Sequence, residues 1–161
     1  VCSSDLSITE WKIRGNNFTL PSADGSANAV LKTDGSGVLS FGFVIDTGTY
    51  FPVLTNVTNV DASSVYTCQY VRIGNIVTVS GKVGIDCTAA AATATELGMD
   101  LPIASNFTTE EQCAGTAASE TALTTPVRIL ADTVNNRASF KFAAGTTTGD
   151  SYSFTFTYQI I

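Results

Sequence analysis

The chain has 161 residues, only 14% of them charged and 44% apolar, with a net charge of −6 and a sequence pI near 4.3. That balance argues against disorder, and 8 scattered Lys and Arg without a basic patch argue against a nucleic-acid partner. No apolar run reaches the length of a membrane helix, so no membrane insertion is expected. The chain contains no His, which removes zinc-finger spacing and the usual general base of hydrolases. The expectation is therefore no catalytic residue, no metal ligand and no cofactor.

Val1–Leu6, VCSSDL, resembles the translated end of a short sequencing adapter and is left out of fold reasoning. That reading implies a gene assembled from environmental DNA and truncated upstream.

Residues 7–45 read as a stem of short strands. Asp24-Gly25 and Asp34-Gly35 are Asp-Gly turns, flanked by the short apolar pieces Ala29–Leu31 and Val38–Phe41. Asp-Gly within apolar alternation signals a hairpin, because Gly accepts the positive φ of a tight turn. Arms of four or five residues cannot bury a core alone. They must pack against the rest of the chain or against copies of it. The apolar side chains that need such partners include Trp11, Ile13, Phe18, Leu31, Leu39 and Phe41. A calcium-loop reading of the two turns fails, since the alternate ligands and the terminal Glu are missing. Gly42–Thr49 reads as a hinge.

Residues 46–161 carry period-two patterns. Tyr152, Phe154, Phe156, Tyr158 and Ile160 alternate with small polar residues, which predicts a strand with one buried and one polar face. Val77, Val79, Val83 and Ile85 share one parity. Ala138, Phe140 and Phe142 follow a turn at Asn135-Asn136. Further strands are expected at 51–60, 65–73, 95–101, 111–116 and 126–131. Ala89–Ala94 reads as a loop rather than a helix. The fold class predicted is all-β: an antiparallel β-sandwich of about eight strands, jelly-roll-like, preceded by the short-hairpin stem.

Cys68, Cys87 and Cys113 form no CxxC pair. Free buried thiols and a Cys68–Cys113 or Cys87–Cys113 bridge both stay open. Asp86, Glu96, Asp100, Glu110, Glu111 and Asp132 are the acids a two-carboxylate glycosidase would draw on, but none lies in a motif and most border turns. Phe107, set between polar residues, is the candidate for an exposed surface-binding aromatic, with a core anchor as the alternative. The longest small-residue connections are 87–94, 117–124 and 144–150. If the chain binds a surface, recognition is expected there, without metal and with little dependence on salt.

Two stretches carry a resemblance. The segment LPSADGSANAVLKTDGSGVLSF from Leu20, and the runs YFPVL from Tyr50 and YVRIGNIVTVSGKV from Tyr70, resemble the stem and C-terminal β-domain of bacteriophage tail-fibre and related virion fibre proteins. The resemblance implies a non-enzymatic structural protein of the virion, extracellular, whose β-sandwich knob recognises a host surface. It implies a homotrimer, with the six apolar stem residues named above packing between copies. The partners it implies are the chain itself, other virion proteins, and a glycan or protein on the host cell surface. A capsid decoration or head-fibre protein, an extracellular filament subunit, and a carbohydrate-binding module are the competing expectations.

Overall fold

The strongest alternation in the sequence becomes the centre of the fold. The computed structural model describes residues 10–13, 16–25, 29–42, 45–121 and 126–161; the side chains of residues 10–17 lie outside that description. The chain divides into two compact units, Val1–Val44 and Ile45–Ile161.

In the first unit, β1 (Glu10–Ile13) and β2 (Asn16–Thr19) form an antiparallel ribbon, as do β3 (Val30–Thr33) and β4 (Leu39–Gly42). One parallel bridge, Thr19 to Val38, joins the ribbons, with the Thr19 amide donating to the Gly37 carbonyl at 2.9 Å. The Asp34-Gly35 turn forms as expected. Gly35 sits at φ 85, and Asp34 Oδ1 accepts from the Ser36 amide at 2.8 Å and the Val38 amide at 3.1 Å. Asp24-Gly25 does not close a hairpin; it lies in the connection from β2 to β3. No described side chain of this unit is buried, and Leu31 is 51% exposed.

The second unit is built from β5 (Ile45–Tyr50), β6 (Leu54–Thr58), β7 (Val60–Val65), β8 (Cys68–Ile73), β9 (Ile76–Cys87), β10 (Thr93–Met99), β11 (Cys113–Ser119), β12 (Pro126–Asp132), β13 (Arg137–Ala144) and β14 (Asp150–Gln159). The prediction of an all-β antiparallel fold holds. Among the described residues ten strands stand where about eight were expected: β7 forms between the runs read as 51–60 and 65–73, and β5 forms where Gly42–Thr49 was read as a hinge, because residues 45–50 pair with β8. They form one sheet in the order β5-β8-β9-β14-β11-β12-β13-β10-β6, with β7 also paired to β9. Opposite β14, one edge of the long β9 serves two neighbours: residues 76–80 pair with β8 and residues 83–87 with β7.

The sheet curls into a sandwich-like arrangement. Phe140 on β13 and Phe154 on β14 are separated along the sheet by β11 and β12, yet their rings meet edge to face at 5.2 Å. Phe154 in turn stacks on Phe156 at 5.7 Å. The inner face carries Val77, Val79, Val83 and Ile85 from β9, Leu97 and Met99 from β10, and Ile129 from β12, all buried. In β14 the inward residues Tyr152, Phe154, Phe156 and Tyr158 are buried while Ser153, Thr155 and Thr157 are exposed. Burying each large apolar side chain contributes about 1.5–3 kcal/mol, which makes this face the main source of stability.

The corner between β6 and β7 is held by Asn59, a non-glycine residue at φ 53. Its Nδ2 donates to the Ala89 carbonyl at 2.9 Å and to Thr95 Oγ1 at 2.8 Å, while its Oδ1 accepts from the Ala89 amide at 2.8 Å. Asn tolerates the left-handed region because its short amide bonds locally. The corner lets one continuous run pass from the edge of β10 to the edge of β9.

Candidate functional site

Strand register decides which loops are neighbours. Thr93 pairs with Ala144, Ala118 with Pro126, Ser119 with Tyr152, and Asp150 with Ile85. The strand ends Cys87 and Thr93, Ser119 and Pro126, and Ala144 and Asp150 therefore lie at one end of the sheet. Ile45 is aligned with Ile73, Ile76 and Gln159 at the other end. The described parts of the windows 87–94, 117–124 and 144–150 are thus brought together, but each connection is shorter than expected. Cys87, Thr93, Ala94, 117–119, Ala144 and Asp150 belong to strands. Residues 122–125 lie outside the described residues.

Near that end, the outer face of the sheet holds a groove of about 640 Å³. Ala94 and Ala143 leave room over the middle strands, and Thr58, Glu96, Thr116, Pro126, Arg128 and Lys141 line the sides. All of these side-lining residues but Pro126, which pairs with Ala118, share one transverse row. Thr116 pairs with Arg128, Arg128 with Lys141, Lys141 with Glu96, and Glu96 with Thr58. The row continues without an apolar residue through Thr155, Ser80, Gln69 and Thr49. Glu96 Oε1 accepts from the buried Ser139 hydroxyl at 2.6 Å and lies 3.9 Å from Lys141 Nζ. Arg128 is exposed, and among the described residues no carboxylate lies within ion-pair distance of it.

The remaining candidate acids lie elsewhere. Asp132 accepts from Arg137 Nε at 2.8 Å. Asp100 accepts from the Val53 amide at 2.7 Å, and burial pushes its carboxyl above the ordinary range. Glu110 and Glu111 lie in a short 3-10 turn, Glu110–Gln112. Asp86 and Asp150 line a recess of about 260 Å³, but both oxygens of Asp150 are engaged, one with the Ser119 hydroxyl and one with the Ser151 amide. No group of three or more acidic or Cys residues is placed to hold a metal among the described residues. Cys68, Cys87 and Cys113 are buried and unbridged, and burial pushes the Cys113 thiol up to about 12.

The surface-binding assignment of Phe107 is corrected. Its ring is 4% exposed and meets Tyr158 edge to face at 6.0 Å, and its amide donates to Asn136 Oδ1 at 2.8 Å. It anchors the segment that crosses one end of the core. Of the stem packing candidates, Leu31 and Phe41 are exposed and Phe18 and Leu39 half-buried. The side chains of Trp11 and Ile13, like residues 1–6, lie outside the described residues.

Of the groove, sequence reasoning reached only Ala92 and Ala94, through the window 87–94, and Glu96 as one of six candidate acids; Arg128 and Lys141 were not singled out. Half of the constellation had a local signal. A hairpin turning at Asn135-Asn136 that pairs Asp132 with Arg137 must also pair Arg128 with Lys141. The pairing of Glu96 with this hairpin had none, because Glu96 lies 32 positions before Arg128 and 45 before Lys141 in the chain. Comparison with protein-family models, with curated proteins and with solved structures finds no match for this chain.

Proposed function

We propose that the chain is a non-enzymatic component of a virion fibre. Residues 7–44 are part of a stem, and residues 45–161 form the domain that meets a host surface. The observation that carries this reading is the contrast between the units. The second has a well-packed aromatic core, whereas the first has two four-residue ribbons and buries none of its described side chains. Two-stranded ribbons of that size are marginal alone in water, so the stem takes its partners from other copies of the chain. The motifs LPSADG and TDGSGVLSF, and the β-domain runs that follow, agree with this arrangement.

The outer face of β5, β8 and β9 adds support for self-association. Ile45, Ile73 and Ile76 form one cross-strand row, 50%, 54% and 47% exposed, and the rows beside it hold Thr47, Val71, Thr78, Thr49, Gln69 and Ser80. These three rows bear no charge. For a chain of net charge −6, theirs is the face by which a second copy approaches without like-charge repulsion. The loop end and its groove are then the surface for recognition.

Mass photometry and sedimentation of the full chain test the assembly. A trimer is expected, and Ile73→Asp is expected to weaken it while the thermal melt of the β-unit is kept. A stable monomer at micromolar concentration with an ordered stem would overturn the fibre reading. Trimers that bind no host cell would point instead to a decoration or filament subunit.

A further inference from the structure

The groove contains an arrangement that the folded chain leaves electrostatically incomplete. Arg128 and Lys141 are direct cross-strand neighbours. Like charges placed opposite each other on a sheet are destabilising. One carboxylate, Glu96, sits on the far side of Lys141 at 3.9 Å and is shared with the Ser139 hydroxyl. Two cations against one anion leave one positive charge in the groove, on a chain whose net charge is −6. The exposed Arg128 offers a planar fork of donors, the geometry that matches a carboxylate.

From this arrangement we infer that the groove is a subsite for a carboxylate-bearing saccharide, a deepening that rests on the host-recognition reading. The carboxylate bridges Arg128 and Lys141 and relieves their repulsion. Thr58 and Thr116, on either side of the charged residues in the same row, supply hydroxyls for a hydroxyl-rich ligand. Ala94, Ala143 and Pro126 leave a shallow apolar floor for the carbon face of a sugar ring. An acidic peptide fits less well. Extended peptides bind sheets by pairing with a free edge; the edge strand at the groove is β6, whereas the two cations lie on the interior strands β12 and β13, beyond β10. The juxtaposition also changes the sequence-based expectation for salt, because the two cations act at one point rather than as scattered charges.

The test is calorimetric titration of the full chain with trigalacturonate and with sialyllactose, each compared with its carboxyl methyl ester. At least one acid is expected to bind, with its ester weaker by about tenfold or more. Binding is expected to weaken as salt rises from about 50 to about 500 mM. Arg128→Ala should lower affinity about tenfold, with partial rescue by Arg128→Lys. Glu96→Gln, which raises the net charge of the groove, should tighten binding. Unchanged melting temperatures show that these surface variants fold. Equal binding of acid and ester, no effect of Arg128→Ala, or failure of both acids to bind overturns the inference. Tighter binding of a hexaglutamate peptide than of either saccharide also overturns it, in favour of a protein ligand. A chain that still attaches to host cells while failing these tests keeps the recognition reading and loses only this subsite.

Discussion

Gly115 on β11 lies directly opposite Phe156 on β14, on the core side of the sheet. A Cβ at Gly115 would land on the Cβ of Phe156 and on the Thr155 carbonyl oxygen. The obstacle is largely backbone, so no side-chain rotation relieves it. Gly115→Ala is therefore expected to cost about 1–3 kcal/mol through overpacking. Ala114→Ser, on the exposed face of the same strand, should stay within about 0.5 kcal/mol. Urea denaturation of the two variants measures both. Equal stability would show that β11 and β14 separate without penalty.

The last strand carries the largest aromatic contribution. Phe154 and Phe156 are 5% and 1% exposed, and Phe140 meets both rings. Phe154→Ala or Phe156→Ala is expected to destabilise by about 3–5 kcal/mol. Thr155→Ala loses one hydrogen bond to the Val79 carbonyl, 3.2 Å, and should cost about 1 kcal/mol. Thermal melts that show small and equal losses for all three would contradict the alternation.

At the corner between β6 and β7, Asn59 combines a positive φ of 53 with three side-chain hydrogen bonds. Asn59→Gly keeps the conformation and loses the bonds. Asn59→Ala loses both and is expected to be the less stable of the two, by about 1 kcal/mol. The wild type should exceed both. Amide exchange at Ala89 should speed up in each variant, since its amide loses the Asn59 acceptor. Protection at Ala89 equal to wild type would remove Asn59 from its role as a clamp.

Acid sensitivity should concentrate at the β12–β13 turn. Burial alone would raise the Asp132 carboxyl. Donation from the Asn135 side chain and amide, Arg137 and the Val134 amide outweighs that and holds it below the ordinary carboxylate range. A depressed folded-state pKa means a contribution fully present above about pH 4, the unfolded value. It is lost as pH falls through the folded value. The stability gap between wild type and Asp132→Asn should therefore be open at pH 6, by about 1–3 kcal/mol, and close towards pH 2. A gap that is constant across that range would assign the effect to packing rather than charge.

Much of the β class was legible locally. The period-two runs at Val77–Ile85, Ala138–Phe142 and Tyr152–Tyr158 needed only a count along the chain, and each buries the face that the count selects. The turns at Asp34-Gly35 and Asn135-Asn136 were also legible, because a tight turn is chosen by two or three adjacent residues. What depended on distant pairing was not. The kink at Asn59 that splits one apolar run into β6 and β7 requires partners at Ala89 and Thr95. The burial of Phe107 requires Tyr158 and Asn136. The groove requires β12 and β13 to meet β10, which brings Glu96 beside Lys141. Periodicity tells a strand which face to bury. Which strands lie side by side, and so which polar residues gather on the other face, is decided only when the sheet curls and closes over its aromatic core.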